Sequence, residues 1–267
     1  MRRIAQRIYC DYLRPERLDE FRRLIARGVD LRYETLTLSA FARLVDAGEA
    51  PQRVLLLRHD VDSDLPRARR MWRIERELGV VGTYFFRRST WDLPFMRELA
   101  AHGCEVGYHY EELATLVKQR GATTADEARA LIVPARERLR AGLAELRTQS
   151  VMPLDVVASH GDFANRHVDV SNTELLADRQ FRAEIGVRIE AYDLEEHVGA
   201  RASDNACPRA WQPLDPLPAL ERGVPVVELL VHPRAWGAAP AANARADVVR
   251  LAEGCLYALR RARRRRG

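Results

Sequence analysis

Cysteine is scarce in this chain, and the cysteines that it has are scattered. Among 267 residues there are four, with no C-x-x-C pair: Cys10, Cys104, Cys207 and Cys255. This spacing argues against a disulfide framework and against a thiolate metal site. Long apolar runs are also absent, so the sequence predicts no transmembrane segment, and no apolar stretch follows the basic N-terminus as it would in a secretory signal. We therefore expect a cytoplasmic protein.

Neither positive nor negative charge dominates the chain as a whole. The formal net charge is +5, with 30% charged and 47% hydrophobic residues, which is typical of a globular protein with a buried core. Basic residues concentrate at the C-terminus, at Arg260, Arg261, Arg263, Arg264, Arg265 and Arg266. This tail could contact nucleic acid or an anionic membrane surface, or it could be a solvated helix end whose cations suit the helix dipole. Because no nucleic-acid motif accompanies it, we expect no nucleic-acid partner and favour the helix end.

Strand-like and helix-like segments alternate along the sequence. Apolar runs predict strands at 54–57, 80–86, 104–108, 154–158, 183–189 and 225–231. Amphipathic spacing predicts helices at 15–27, 66–78, 92–101 and 124–147. The last of these begins with a capping box of Thr124 and Glu127, and Pro134 could kink or split it. The alternation favours an α/β fold with a parallel sheet, closed or open.

Neither a linker nor a change of composition divides the chain. We therefore expect one domain over residues 1–267, with its core at about 20–237 and a C-terminal helix with the basic tail at 243–267. That helix carries apolar residues at helical spacing, at Val248, Leu251, Cys255, Leu256 and Leu259. The segment 199–218 is polar and rich in proline, which predicts a long functional or disordered loop.

Polar side chains follow the first buried strand at the point where it ends. Arg58, His59, Asp60 and Asp62 come directly after the apolar run 54–57. In α/β folds the carboxyl ends of parallel strands are where chemistry takes place. Two aspartates separated by one residue can have different roles, since one can bind a cation while the other stays free as a base. The alternative interpretation is a solvated acidic turn that caps the next helix.

Three further strand ends carry a histidine. These residues are His109, His160 and His232. Because the carboxyl ends of parallel strands meet at one edge of a sheet, we expect the histidines and aspartates to converge at one mouth of an α/β barrel. Histidine and aspartate without cysteine form a ligand set that suits a zinc-like divalent ion with an open position for water.

These motifs resemble those of the polysaccharide deacetylase (NodB-homology) superfamily, of the carbohydrate esterase family 4 type. The branch is the one whose first motif reads RHDVD. Four segments match in the family's order within residues 20 to 237: RHDVD at 58–62, GVVGTYFF at 79–86, EVGYHYE at 105–111 and LLVHP at 229–233. The resemblance implies a distorted (β/α)7 barrel and hydrolysis of an N-acetyl group on a sugar.

The resemblance also implies roles for individual residues. The family's general base falls on Asp60, its metal-binding aspartate on Asp62, its first metal histidine on His109 and its general acid on His232. The family's second metal histidine should stand four residues after the first, where this chain has a leucine, Leu113. Because a catalytic zinc normally has three protein ligands, a third is needed. The candidates are His160, Glu111 and Glu112, and we favour His160.

Other polar residues are candidates for substrate binding. They are Arg58, Glu111, Asp162, Asp204 and Trp211. Arg58 could instead tether Asp60 and keep its pKa low, and Glu111 could instead hold His109 in one tautomer. Trp211 could stack on a sugar ring or anchor its loop in the core, and Asp162 could cap a turn. His59 points to the opposite face of a strand, so we predict a structural role for it.

The sequence therefore predicts a metal-dependent hydrolase that removes an N-acyl group, above all acetyl, from an amino sugar. Zinc is the expected metal, with cobalt or nickel as alternatives. The branch implies a free, nucleotide-linked or lipid-linked sugar of cell-surface polysaccharide biosynthesis. Two alternatives stay open: a deformylase or other carbon–nitrogen hydrolase on the same barrel, and a non-catalytic barrel that binds carbohydrate. The oligomeric state is not predicted.

Overall fold

The computed structural model describes residue 5 and residues 8–204 and 211–264. Eight parallel strands form one sheet: β1 (Glu34–Leu36), β2 (Val54–Val61), β3 (Thr83–Phe86), β4 (Glu105–Tyr110), β5 (Val156–Ser159), β6 (Ile189–Glu190), β7 (Ala200–Ser203) and β8 (Val226–Val231). Their order is β6-β5-β4-β3-β2-β8-β7, with β1 beside the first half of β2. The sheet curls into a half-barrel, and its edge strands β6 and β7 do not pair with each other in the described ranges. The predicted single-domain α/β fold with a parallel, barrel-like sheet is confirmed.

Helices connect the strands and pack around the sheet. They are α1 (Leu18–Asp30), α2 (Leu38–Asp46), α3 (Leu65–Glu77), α4 (Leu93–Ala101), α5 (Glu112–Arg120), α6 (Ala125–Arg129), α7 (Ile132–Ser150), α8 (Phe163–Val168), α9 (Arg179–Glu184), α10 (Pro216–Glu221) and α11 (Pro240–Arg264). Short 3-10 or π turns lie at Tyr9–Leu13, Arg88–Thr90, Asn172–Leu176, Ala191–His197 and Pro233–Trp236. Side-chain oxygens of Thr37, Asp64 and Asp92 accept backbone N–H groups at helix starts, which fixes where α2, α3 and α4 begin.

Strand β2 is buried along its whole length and carries functional side chains on only one face. It runs to Val61 rather than ending at residue 57, so Asp60 lies inside the strand and Asp62 directly after it. His59 points to the face opposite Asp60, where its ring stacks on Tyr84 with centroids 4.1 Å apart. Its Nε2 lies 2.6 Å from a carboxylate oxygen of Glu75. Since His59 is fully buried in this contact, the structure agrees with the structural role predicted for it.

Two predicted elements differ from the structure. The strand predicted at 183–189 is mostly helix α9 and a turn, and only Ile189–Glu190 forms β6. The segment 199–218 is not one loop, because its start forms the edge strand β7 on β8 and its end begins α10.

The helix predicted at 124–147 is split into α6 and α7, which is one of the two outcomes expected from Pro134. Pro134 stands in the first turn of α7, where its missing N–H costs little.

The cysteine pattern was read incorrectly in one respect. Cys10 is disulfide-bonded, whereas Cys104 is buried and free and Cys255 is exposed and free. Cys207 lies outside the described residues, as do Arg265 and Arg266 of the basic tail. The predicted cytoplasmic location stays a prediction. Within the described ranges, no helix combines the length and the apolar character needed to cross a bilayer.

Candidate metal centre

Three side chains from three strand ends meet at the carboxyl edge of the sheet. Asp62 follows β2, His109 lies near the end of β4, and His160 follows β5. Asp62 Oδ1 lies 3.3 Å from His109 Nε2 and 3.4 Å from His160 Nε2, and one potential ligand atom of each residue lies within 4.8 Å of the others. Asp62 Oδ1 is buried and has no hydrogen-bond partner among the described residues. An orphaned carboxylate oxygen that faces two imidazole nitrogens fits a shared divalent cation.

The charges around Asp62 keep it in the form that a metal ligand needs. Burial raises the pKa of Asp62, but its interactions with the rings of His160 and His109 lower it more, so the pKa lies below its ordinary value. The side chain of Asp62 is 28% exposed, whereas that of His109 is 2% exposed. The cluster therefore opens to solvent beside Asp62, where a water or a substrate can enter.

The tautomer of His109 is set by the neighbouring strand. Nδ1 of His109 lies 2.9 Å from the backbone carbonyl oxygen of Ala158 in β5. A neutral ring that donates from Nδ1 keeps the lone pair of Nε2 directed at Asp62, which is the arrangement that metal-binding histidines use. This corrects the expectation that Glu111 would hold His109. Strand β5 approaches closely because Gly107 precedes His109: a Cβ there would lie 2.6 Å from the carbonyl oxygen of Val156.

His160 is held from both sides of its backbone. Its N–H donates to the carbonyl of Tyr110 at 2.9 Å, and its own carbonyl accepts from Asn172 Nδ2 at 2.6 Å. Nδ1 of the ring lies 3.4 Å from Glu111 Oε2, so Nε2 is the nitrogen that faces Asp62. The position of His160 is thus fixed by main-chain contacts as well as by its ring.

Glu111 orients His160 and is itself held by an arginine. Arg87 donates to both carboxylate oxygens of Glu111, at 2.8 and 2.6 Å from Nη2. Burial raises the pKa of Glu111, but contact with His160 and the charge of Arg87 lower it to about 2. Glu111 therefore stays ionised beside the imidazole. The structure places it behind His160, away from Asp62, which is the position of a supporting carboxylate.

The other candidates for a third ligand do not reach the cluster. Glu112 accepts hydrogen bonds from the hydroxyl of Tyr108 at 2.5 Å and from the N–H of Glu111 at 2.9 Å. Leu113 is fully buried in the apolar core at the start of α5. His160 is the candidate whose ring nitrogen faces Asp62.

Asp60 lies beside the cluster but is tied to Arg58. The guanidinium of Arg58 donates from Nε and Nη2 to the two carboxylate oxygens, each at 2.9 Å. Burial raises the pKa of Asp60, but the neighbouring cationic groups, above all Arg58, together lower it more, so the carboxylate stays ionised. Asp60 Oδ2 lies 3.5 Å from His109 Nε2, next to the potential metal position. Arg58 is fully buried, which corrects its assignment to substrate binding and agrees with the predicted tether.

His232 is close enough to Asp60 and Asp62 to lower their pKa values, and it is paired with Asp204. Nδ1 of His232 lies 2.8 Å from Asp204 Oδ1, and Asp204 Oδ2 accepts from the backbone N–H of His232 and from the indole of Trp236. Burial lowers the pKa of His232, but the hydrogen bond to Asp204 and the nearby carboxylates raise it to about 9. Both oxygens of Asp204 are occupied by protein donors and its side chain is 2% exposed. This corrects the expectation that Asp204 would accept hydroxyls of a substrate.

Asp162 and Trp211 also differ from the expectation of substrate binding. Asp162 Oδ1 accepts the N–H of Ala164 at the start of α8, and Oδ2 lies 2.9 Å from Lys118 Nζ. It is therefore a helix cap within a buried ion pair, as the alternative interpretation held. Trp211 packs edge to face on Trp236, with centroids 5.7 Å apart, and is half-buried against the core. The structure places it as the anchor of its loop.

Two residues that matter to the site were not found from the sequence. Arg87 fixes Glu111 from 24 positions earlier in the chain, and Trp236 fixes Asp204 from 32 positions later. Arginine is so frequent in this chain that the residue type alone does not mark Arg87 as functional. A tryptophan four residues after His232 was visible just beyond the last motif, but its partner could not be named without the position of β7.

No protein-family model matches the chain, and no curated protein matches it. Two solved structures are similar to it, each with a TM-score of 0.40. Both are crystal structures of mutants of a CE4 family pseudoenzyme, one of them with restored enzymatic activity, and they are 13% and 14% identical to this chain. Each match covers 77% of this chain and 64% of the other, so the chain spans somewhat less than two thirds of their length.

Proposed function

We propose that the protein is a metal-dependent hydrolase that removes an N-acyl group, acetyl above all, from an amino sugar. The observation that carries this proposal is the clustering of Asp62, His109 and His160, with the ionised carboxylate of Asp60 and the protonatable ring of His232 nearby. The set of one carboxylate and two imidazoles, open on the side of Asp62, suits zinc, cobalt or nickel. The sugar substrate is drawn from the motif resemblance.

The residues around the cluster would each have a separate role in amide hydrolysis. A bound divalent ion would polarise the acyl carbonyl and lower the pKa of water. Asp60, kept ionised by Arg58, would accept the proton of the attacking water. His232, kept protonated by Asp204, would donate a proton to the departing nitrogen. Both groups are thus held in the protonation state that their role requires at neutral pH.

The position of His160 supports the proposed hydrolase over a non-catalytic carbohydrate-binding barrel. That alternative depended on the leucine at position 113, which removes the second histidine of the family motif. His160 supplies an imidazole at the same cluster from a different strand. A deformylase or other carbon–nitrogen hydrolase would use the same residues, so the acyl group is a matter for experiment.

The proposal predicts release of acetate from N-acetylated amino sugars by the zinc-loaded protein. Chelation should abolish the release and added zinc or cobalt should restore it, because the ion supplies the activation of water. Enzymatic measurement of acetate, with formate measured in parallel on N-formyl substrates, checks the acyl group. Metal-loaded protein that releases neither acid from free, nucleotide-linked and lipid-linked sugars would contradict a hydrolase.

The pH dependence of hydrolysis should reflect the titration of His232. Its pKa is raised to about 9, so the ring is protonated at neutral pH and loses its proton as the pH rises through that value. Hydrolysis should therefore decline on the alkaline side, at or somewhat below pH 9 because a bound cation adds positive charge nearby. In Asp204→Asn the carboxylate that stabilises the charged ring is gone, so the alkaline decline should move to lower pH. An unchanged pH profile of kcat in that variant would contradict the role of the pair.

A further inference from the structure

The C-terminal helix α11 exposes an apolar face along most of its length. Five large apolar side chains on this helix are between 49% and 69% exposed: Val248, Val249, Leu251, Leu256 and Leu259. Cys255 is exposed with them. Their spacing of three and four residues puts most of them on one side of the helix, which we call the outer face of α11. Contiguous exposed apolar surface of this kind marks an interaction site in a folded protein.

The opposite face of α11 is fixed to the body of the protein. The hydroxyl of Tyr257 donates to the carbonyl of Ala122 at 2.6 Å, and Tyr257 is buried. The carboxylate of Asp247 accepts from the hydroxyl of Tyr12 at 2.7 Å, and Glu253 lies 2.7 Å from Lys118 Nζ. These contacts set the rotation of the helix, so the outer face cannot turn inward without breaking them.

Basic side chains outnumber acidic ones on α11. Both of its carboxylates, Asp247 and Glu253, are bonded to the body of the protein. Arg245 and Arg260 are exposed, although one nitrogen of Arg260 donates to the carbonyl of Lys118, and four more arginines follow in the sequence at 263–266. A second copy of this helix would place arginines next to arginines, which repel each other. An anionic surface would instead attract the arginines. The apolar side chains of a single helix that lies on a bilayer can insert into the boundary between headgroups and acyl chains.

We propose that the outer face of α11 binds an anionic membrane surface, with the apolar side chains in the headgroup boundary and the arginines on anionic lipids. The helix lies on the membrane and does not cross it. The inference is independent of the proposed hydrolase activity, because none of its residues belongs to the metal centre.

The test is co-sedimentation of the full chain without reductant, so that the disulfide of Cys10 stays intact, using only the monomer from size-exclusion chromatography so that dimers linked through Cys255 are removed. The vesicles are phosphatidylcholine alone or equal parts of phosphatidylcholine and phosphatidylglycerol. The wild-type protein should bind the mixed vesicles and not the neutral ones, and binding should weaken in high salt. The variant Leu251→Gln/Leu259→Gln should lower the partition coefficient roughly tenfold or more, because two leucines lose their burial in lipid.

The matched control is Val133→Gln, since Val133 on α7 is as exposed as Leu251, at 69%. It should bind as the wild type does. Thermal unfolding should be nearly unchanged in both variants, because the altered side chains are exposed. The proposal is overturned if the wild type does not bind mixed vesicles, if it binds neutral vesicles equally well, or if the leucine variant binds as well as the wild type. A dimer in solution that the leucine variant dissociates, without vesicle binding, would assign the face to a second copy.

Discussion

Replacing His160 with alanine is expected to remove the metal ion as fully as replacing His109 with alanine. Both imidazoles face Asp62 Oδ1 at nearly the same distance, 3.4 and 3.3 Å. Two protein ligands rarely hold a catalytic zinc, so the loss of either histidine should lower zinc affinity by more than about 100-fold. Competition with a chelating dye, together with metal analysis of the purified variants, measures the loss.

Two further variants serve as comparisons for the metal affinity of His160→Ala. Glu111→Gln keeps the shape of a side chain that only supports His160, so it should cost about 10-fold to 100-fold in metal affinity. His197→Ala should cost nothing, because His197 lies before β7 at the amino end of the strands. If His160→Ala keeps full occupancy while Glu111→Gln loses it, then the glutamate is the third ligand.

Replacing Asp60 with asparagine is expected to keep the metal and to lose hydrolysis. Asparagine preserves the shape of the side chain but cannot accept the proton of the attacking water, so kcat should fall by a factor of about 100 to 10,000. Asp62→Asn should lose both metal and hydrolysis, because Asp62 Oδ1 is the oxygen that faces both histidines. Metal content and initial rates on the same preparations separate these outcomes. If metal is lost with Asp60 and kept with Asp62, the two roles are reversed.

The Asp60→Asn variant also disturbs a buried ion pair. Arg58 is fully buried and would face an uncharged amide, which can cost about 3 kcal/mol of stability or more. Thermal unfolding of the variant shows whether lost activity reflects lost folding. The double variant Arg58→Gln/Asp60→Asn removes both charges, so it should be more stable than Asp60→Asn while remaining inactive.

The sequence predicted the fold and the meeting of strand ends because both depend on short-range patterns. Apolar runs marked the strands that became β2, β4, β5 and β8, and the polar residue after each run necessarily lies at the same edge of a parallel sheet. That rule placed His160 beside Asp62 although 98 positions separate them in the chain.

The sequence could not predict contacts that depend on a strand whose residues show no strand-favouring pattern. Strand β7 reads Ala-Arg-Ala-Ser, which lacks the β-branched and aromatic residues that favour strands, so Asp204 was assigned to a loop. Once β7 pairs with β8, Asp204 lies beside His232 and Trp236 and is buried there. The pairing of Arg87 with Glu111 was missed for a different reason, because it arises only when the predicted strands β3 and β4 are adjacent and no residue type marks it in the sequence.

An anomalous difference map tests most directly whether Asp62, His109 and His160 hold one divalent ion. It would be measured at the zinc absorption edge on crystals of the protein purified without a histidine tag. One strong peak is expected in contact with all three residues. A second group, Glu111, His160 and Asp162, also has potential ligand atoms within 4.8 Å of one another. A peak between those three residues, or no peak in protein supplied with zinc, would contradict the proposed metal centre.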